Sequence, residues 1–582
     1  MEVARIANCS GFYGDRRAAA REMVEDGPID YLTGDYLAEL TMAVLWRTRH
    51  RDPGGGGYAR TFLQQMEEVL GTCLDRGIRV VANAGGLDPL GLRRHLQELA
   101  GRLGLQARVA AVTGDDMMGR LADLEAPIRP GPADGEPVTA NAYLGCWGIT
   151  SALQAGADVV VTGRVTDAAL VMGPAAHAFN WAPDDWDRLA GALAAGHIIE
   201  CGAQATGGNF SFFREVPGLD HPGFPLVEMH ADGTFVVTKH PGTGGMVSNE
   251  TVTAQLLYEI AGPRYLSPDV TARFDTIRLQ ETGPDRVRVE GTVGEPPPDT
   301  LKVALNHRGG YRNRVTFVLT GLDIEQKAVA VEEALWRSLG GQDSLAVADV
   351  RLLRWDRPDP LSNEEAMAQL RITVQDPDPT RVGRRFSGAA VELALSSIPG
   401  LFLTAPPSDA SPYVIYRDAR VPARLVPAVV HVGDETWTVD SPATRQSPAP
   451  EEAGVEPPLP DAGPGGGDTV EAPLGAVAGT RSGDKGGDAN VGVWVRRPEA
   501  YPWLVRTLTV ARLRDLVPEA ARLDVERWLL PNLGAVNFVV RGLLGDGAAA
   551  SVRVDPQAKS LGEYLRSRRL QIPAGLLPPE GP

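Results

Sequence analysis

From its first residues to about Gly245, the chain alternates short β-branched runs with polar, glycine-bearing turns and amphipathic helical stretches. The strand candidates are 3–7, 29–32, 78–82, 107–112 and 158–161, and helical periodicity marks 18–26, 36–50, 60–76, 89–103 and 141–155. Strands spaced by helices predict βαβ units and a mainly parallel sheet. Right-handed crossovers then place every post-strand turn along one edge of that sheet. Ligands of such sheets bind beyond the carboxyl ends of the strands, so that edge is where chemistry is expected.

The pattern changes after Gly245. Strands are predicted at 286–290, 315–319, 348–354 and 370–374, with helices at 324–339 and 389–396, an α+β order. Proline, alanine, glutamate and glycine crowd into 441–469, which ends in Pro464-Gly465-Gly466-Gly467 and reads as a linker. Beyond it come a strand, a loop, a strand, a helix at 504–516, a strand at 536–541 and a helix at 561–568. The expected fold is therefore α/β: a parallel βαβ-sheet domain in 1–245, an α+β region in 246–440 packed on it, a linker, and a small ferredoxin-like α+β domain in 470–582. A chain of 582 residues is too long for one core, in keeping with this division.

A formal net charge of −17 argues against nucleic acid or an anionic membrane as the main partner. No apolar run is long enough to span a bilayer, and Met1-Glu2-Val3-Ala4-Arg5 carries no secretory h-region. The four cysteines fit no zinc or redox spacing. The expectation is a cytoplasmic protein that takes a small-molecule substrate, with a homo-oligomer as the default for its size.

The turns at the sheet edge are chemically dense. They contain Asn8 and Ser10; Thr33-Gly34-Asp35; Asn83; Thr113-Gly114-Asp115-Asp116; and Thr162-Gly163-Arg164 with Asp167. Helix capping explains one such side chain per turn, whereas two or three per turn point to a shared polar cleft. A second dense tract, Gly479 to Asn490, mixes four glycines with Arg481, Ser482, Asp484, Lys485, Asp488 and Asn490. It reads as a ligand loop between two strands, with a solvated hairpin tip as the bland alternative. A third runs from Lys239 and His240 through Gly242, Thr243, Gly244 and Gly245 to a helix start near Ser248, a geometry suited to an anion or to a simple capped turn. Asn209 closes a further glycine-rich stretch that follows His197-Ile198-Ile199-Glu200. His197 and Glu200 share a helical face, a spacing used in metal sites and in structural pairs alike. Cys9 and Cys201 are candidate nucleophiles only if a helix N-terminus stabilises a thiolate.

The segments Asn8 to Asp15, Asp158 to Asp167, His197 to Asn209, Lys239 to Glu250 and Tyr265 to Val270 resemble the acyclic terpene utilisation AtuA family. Thr480 to Gly492 resembles the ferredoxin-fold domain often fused behind it. The resemblance implies a role in the breakdown of terpenoids and branched acids, where intermediates are coenzyme A thioesters. It implies no list of catalytic residues.

The function expected is lyase- or hydratase-type chemistry on a small branched carboxylic acid or its acyl-CoA thioester. Asp115, Asp167 or Asp484 would be general acid or base, and Lys485, Arg481 and Asn490 would polarise a carbonyl oxygen. Arg164, Lys239 and the Gly242–Gly245 turn would hold an anionic group. One alternative is a scaffold subunit without chemistry. Another is a Mg²⁺-dependent hydrolase or lyase with Asp115, Asp116, Asp484 and Asp488 as oxygen ligands. No cofactor is firmly implied, and the glycines at 11 and 14 alone make no dinucleotide fingerprint.

Overall fold

The computed structural model describes residues 2–52, 56–125, 131, 134–442 and 468–578. An eleven-stranded sheet dominates it. At its centre lie five parallel strands, β1 (Val3–Asn8), β2 (Tyr31–Gly34), β3 (Arg79–Ala82), β4 (Val109–Thr113) and β5 (Val159–Thr162). Their order is β1-β2-β3-β5-β4. Every residue of β2 and β5 is buried, because helices cover both faces, as parallel sheets require. Helices Ala19–Glu25, Arg60–Arg76 and Pro89–Arg102 pack on one face. Helices Trp147–Gln154, Ala169–Phe179 and Trp186–Ile199 pack on the other. The last of these is buried from Leu189 to Ile199, the mark of a helix enclosed all round.

Both flanks of this sheet are antiparallel. Pro225–His230 pairs with β1, followed outward by Phe235–Lys239 and the hairpin Arg278–Gly283/Arg286–Glu290. Ala428–Val432 pairs with β4 on the opposite side, with Glu435–Val439 beyond it. Residues past 245 thus complete the first sheet at both edges. A second sheet is built on β6 (Thr300–Thr320), flanked by Met367–Asp376, Ser411–Pro422 and Pro137–Ala142. The periodicity at 141–155 predicts a helix throughout, but Pro137–Ala142 is a strand and the helix starts at Trp147. Pairing with β6 overrides the local pattern there. The helix Ile324–Leu339, whose bounds agree with its periodicity, packs with Arg384–Glu392 over this sheet's own core.

The C-terminal residues form a four-stranded antiparallel sheet. Its strands are β7 (Ala478–Lys485), β8 (Asp488–Val495), β9 (Val525–Leu530) and β10 (Ala535–Val540), in the order β7-β8-β10-β9. The helix expected at 504–516 is two helices, Tyr501–Thr507 and Val510–Leu516, because Thr509 caps the second by accepting from the Arg512 N–H. Trp494, Leu530 and Ala535 belong to the large central core, and Trp494 stacks on Phe210 at 6.2 Å between ring centroids. Most of the segment read as a linker, 443–467, lies outside the described residues. No helix among the described residues is long and apolar enough to cross a membrane.

Candidate active site

The carboxyl edge of the parallel strands carries a buried polar network. Asn83, just after β3, donates to Asp35 Oδ1 at 2.6 Å and accepts from the Tyr36 N–H at 2.7 Å. Asp35, just after β2, also accepts from the Leu37 N–H at 3.0 Å. Asp115, after β4, accepts from Asn141 Nδ2 and from the Arg164 N–H, each at 2.8 Å. A Cβ at Gly163 would lie 2.3 Å from Asp115 Oδ1, so glycine is needed for the two turns to meet. Arg164, after β5, donates to the Leu37 carbonyl at 2.9 Å and pairs with Asp167 at 3.1 Å. Its guanidinium stacks 4.2 Å above the Tyr143 ring.

Burial pushes the Asp115 carboxyl up to about 6, against the lowering effect of its hydrogen bonds. A carboxyl with a raised folded pKa keeps its proton when the unfolded chain has lost it. Its contribution to stability is complete below the unfolded pKa near 4 and is lost as pH rises through about 6. Asp115→Asn should therefore gain on the wild type between pH 4 and pH 7, by about 3 kcal/mol at most. Urea midpoints across that range are the measurement, and a gap that does not widen with pH contradicts the assignment.

Glu200 ends the enclosed helix that starts at Trp186. Asn8 holds that end in place, donating to the Ile199 and Glu200 carbonyls at 2.6 and 3.1 Å. Burial first, then the charges of Asp167 and Glu259, hold the Glu200 carboxyl well above its ordinary value. Burial and then the Asp167 charge do the same for Asp35, with Arg164 opposing. His197 Nδ1 lies 3.3 Å from Glu200. Burial and the Lys485 charge drive its imidazole down to about 4, so it is neutral at pH 7. Glu200 Oε2 is buried and has no hydrogen-bond partner among the described residues.

Other elements close the site. Tyr265, whose hydroxyl burial pushes upward, senses Glu200, Asp167, Glu259 and Lys302. Lys302, on β6, lies 5.0 Å from the Tyr143 ring and 5.5 Å from that of Tyr416. Lys485, at the end of β7, donates to the Glu259 carbonyl at 2.8 Å and lies 5.8 Å from the Tyr265 ring. Asp167, Glu259, Tyr265, Lys302 and Lys485 are all half-buried. With the buried Asp35, Arg164 and Glu200 they form one polar cluster, the candidate recess: the Asp167 charge acts on both Asp35 and Glu200, and that of Lys485 acts on Glu200.

The Gly479–Asn490 tract is a hairpin rather than a loop, with Gly486-Gly487 as its turn. Its glycines serve close packing. A Cβ at Gly483 would lie 2.6 Å from the Tyr258 ring, one at Gly486 2.9 Å from Tyr416, and one at Gly492 2.5 Å from Leu257. The hairpin is thereby pressed against the large core, which brings Lys485 to the recess.

The remaining candidates hold structural contacts, some of them around Glu259. Asn490 accepts from the Glu259 N–H at 2.8 Å and donates to the Leu257 carbonyl, fixing the docked hairpin. Arg481 covers the Tyr258 ring at 4.3 Å and bonds Gln204 and the carbonyl of Asn209, whose φ of 56° is left-handed. Ser482 bonds Ala558 and Gly562, and Ser10 bonds the Phe12 carbonyl. Asp484 lies 3.5 Å from Lys559.

Lys239 is not at the recess. It pairs with Asp285 at 3.1 Å and donates to the Thr243 carbonyl, while His240 bonds the Met23 carbonyl. The N–H groups expected to bind an anion are taken by the protein. Gly245 donates to Pro217, Val247 to Asp285 and Asn249 to Glu281. The recess beside Gly242, Thr243 and Gly244 is lined by Glu22, Asp26 and Asp220, which repel anions.

The four aspartates weighed as magnesium ligands do not meet. Asp116 caps Met118, Asp488 pairs with Arg541 at 2.8 Å, and Asp115 and Asp484 are held as described. No group of three or more His, Cys, Asp or Glu side chains placed to hold a metal occurs among the described residues. Burial pushes the Cys9 thiol to about 12 and that of Cys201 well above its ordinary value, so burial opposes the thiolate that a nucleophile needs at both.

Asp35, Glu259, Tyr265 and Lys302 are the site residues to which motif reading gives no role, and it weighs Glu200 only with His197 as a metal or structural pair. Asp35 stands inside a turn already marked as dense. Lys302 sits within a strand interior and carries no local signal.

The sequence profile described as "Acyclic terpene utilisation family protein AtuA" matches residues 4–432, and that of the AtuA ferredoxin-like domain matches 472–571. A search of curated proteins finds no match. The first profile spans the parallel sheet, its flanks and the second sheet, and the second spans the domain that carries Lys485. The chain belongs to the acyclic terpene utilisation AtuA family, with an AtuA ferredoxin-like domain at its C-terminal end.

Proposed function

We propose that the protein is an enzyme of branched-acid or terpenoid metabolism that adds to, or eliminates from, a small branched carboxylic acid or its acyl-CoA thioester beside the carbonyl. One observation supports this reading: two buried carboxyls whose pKa burial holds well above the ordinary range, Asp35 and Glu200, lie in one cluster with the cations Arg164 and Lys485. Perturbed acids beside fixed cations are what proton transfer at a carbonyl needs. Arg164 and Lys485 would hold the carboxylate or thioester oxygen and stabilise an enolate. Glu200 would donate the proton, and Asp167, whose side chain is 27% exposed, would accept one from substrate or water.

The test is exchange of α-protons into D₂O, followed by NMR with saturated and α,β-unsaturated branched acids and their CoA thioesters. Exchange or turnover with at least one member is expected. Neither exchange nor turnover across the panel contradicts the reading.

A further inference from the structure

A cavity of about 510 Å³ lies where helix Glu39–Arg51, strand β6, strand Ser411–Pro422 and the loop after β10 meet. Among the described residues its walls carry seven arginines and no carboxylate, in a chain whose net charge is −17. Arg553 pairs with Glu519 at 2.8 Å. Arg47, Arg308, Arg312, Arg314 and Arg371 make no ion pair among the described residues. Arg371 is 8% exposed, and its Nε is buried with no hydrogen-bond partner among the described residues. Burial and the charges of Arg314 and Arg351 push this guanidinium down to about 10, and Arg312 is lowered by burial and Arg314.

Carbonyls take some of these donors, Arg371 bonding Val552 and Arg553 and Arg312 bonding Ser551, but no carboxylate among the described residues lines the cavity, so an anion there would relieve the repulsion. The rest of the lining includes the aromatic side chains Trp46, Tyr311 and Tyr413, residue types on which a ring can pack. The volume is that of an ordinary small-molecule site.

We propose that this cavity binds a phosphorylated nucleotide, with its phosphates on the arginines and its base against the aromatic side chains. Guanidinium groups match phosphate geometry with paired N–H donors. Two sources share this chemistry: a free nucleoside polyphosphate, and the nucleotide end of a coenzyme A thioester. The cavity and the recess share strand β6, where Arg308 stands six residues beyond Lys302. That separation is roughly 20 Å along an extended strand. An extended pantetheine arm can cover it, whereas ATP cannot.

The experiment is calorimetric titration of the full chain with adenosine 3′,5′-bisphosphate, coenzyme A, ATP and inorganic phosphate. At least one nucleotide is expected to bind, more tightly than phosphate, with affinity falling as salt rises. The Arg47→Glu/Arg314→Glu variant, checked to melt like the wild type, should lose at least tenfold. Coenzyme A and the bisphosphate binding tenfold tighter than ATP identifies the thioester source, and equal binding identifies a free nucleotide. No nucleotide binding, or binding unchanged in the charge-reversed variant, overturns the proposal. The proposed reaction stands apart from this result. Nucleotide binding without α-proton exchange rejects the reaction alone, and exchange on free acids without nucleotide binding rejects the cavity alone.

Discussion

Glu200→Gln is expected to lower turnover by about 10²- to 10⁴-fold while making the protein more stable at neutral pH. The two effects have one cause. The Glu200 carboxyl is buried beside a neutral imidazole and near the charges of Asp167 and Glu259, and it stays protonated well above its ordinary value. A folded-state pKa above the unfolded one means that the native chain holds a proton the unfolded chain releases. Stability from this group is complete below an unfolded pKa near 4.5 and declines as pH rises toward the folded value. Glutamine has the shape of the protonated acid and no proton to lose, so the variant should gain on the wild type as pH rises above 4.5. It cannot donate a proton, so turnover falls. Thermal melts from pH 4.5 to 8, paired with the exchange assay, measure both. A variant that keeps full turnover, or that is less stable at pH 7.5, means Glu200 is an ionised structural group.

The second large effect concerns Arg164. Its side chain is 4% exposed and binds Asp167, the Leu37 carbonyl and the Tyr143 face. Arg164→Met removes the cation that opposes the rise in the Asp35 pKa. Breaking one side of such a buried pair costs about 3–5 kcal/mol. The cost comes from carboxylates left without a counter-charge, so it should shrink as pH falls and they take up protons. Urea unfolding at pH 4.5 and pH 7.5 is the measurement. A loss that is equal at both pH values reports lost packing only, and no loss means that the pair contributes nothing.

Much of the fold was legible because parallel strands buried on both faces leave uninterrupted β-branched runs. All five central strands lie within about two residues of where their sequence places them. The flanks were not legible, since Ala428–Val432 joins the first sheet through pairing with β4 across more than three hundred residues. The same division holds at the recess. Arg164 and Asp167 stand in a post-strand turn and Lys485 in a tract of mixed charge, both visible locally. Lys302 lies inside a strand, and Glu259 meets Lys485 and Asn490 across more than two hundred residues. Local composition misled at Lys239, where a glycine turn before a capped helix has the look of an anion site. Asp285 and Glu281, about forty residues downstream, occupy its donors and its cation. Gly483 and Gly486 of the 479–490 tract likewise meet a packing demand set by Tyr258 and Tyr416, which the tract itself cannot announce.

A crystal structure of the protein soaked with a small branched acid, preferably an unsaturated one, tests most directly whether chemistry occurs where the two parts of the chain meet. The prediction is density between Arg164 and Lys485, its carboxylate on the cations and its α-carbon toward Glu200. Density confined to another surface, with the recess unchanged and unoccupied at saturating ligand, would contradict the account.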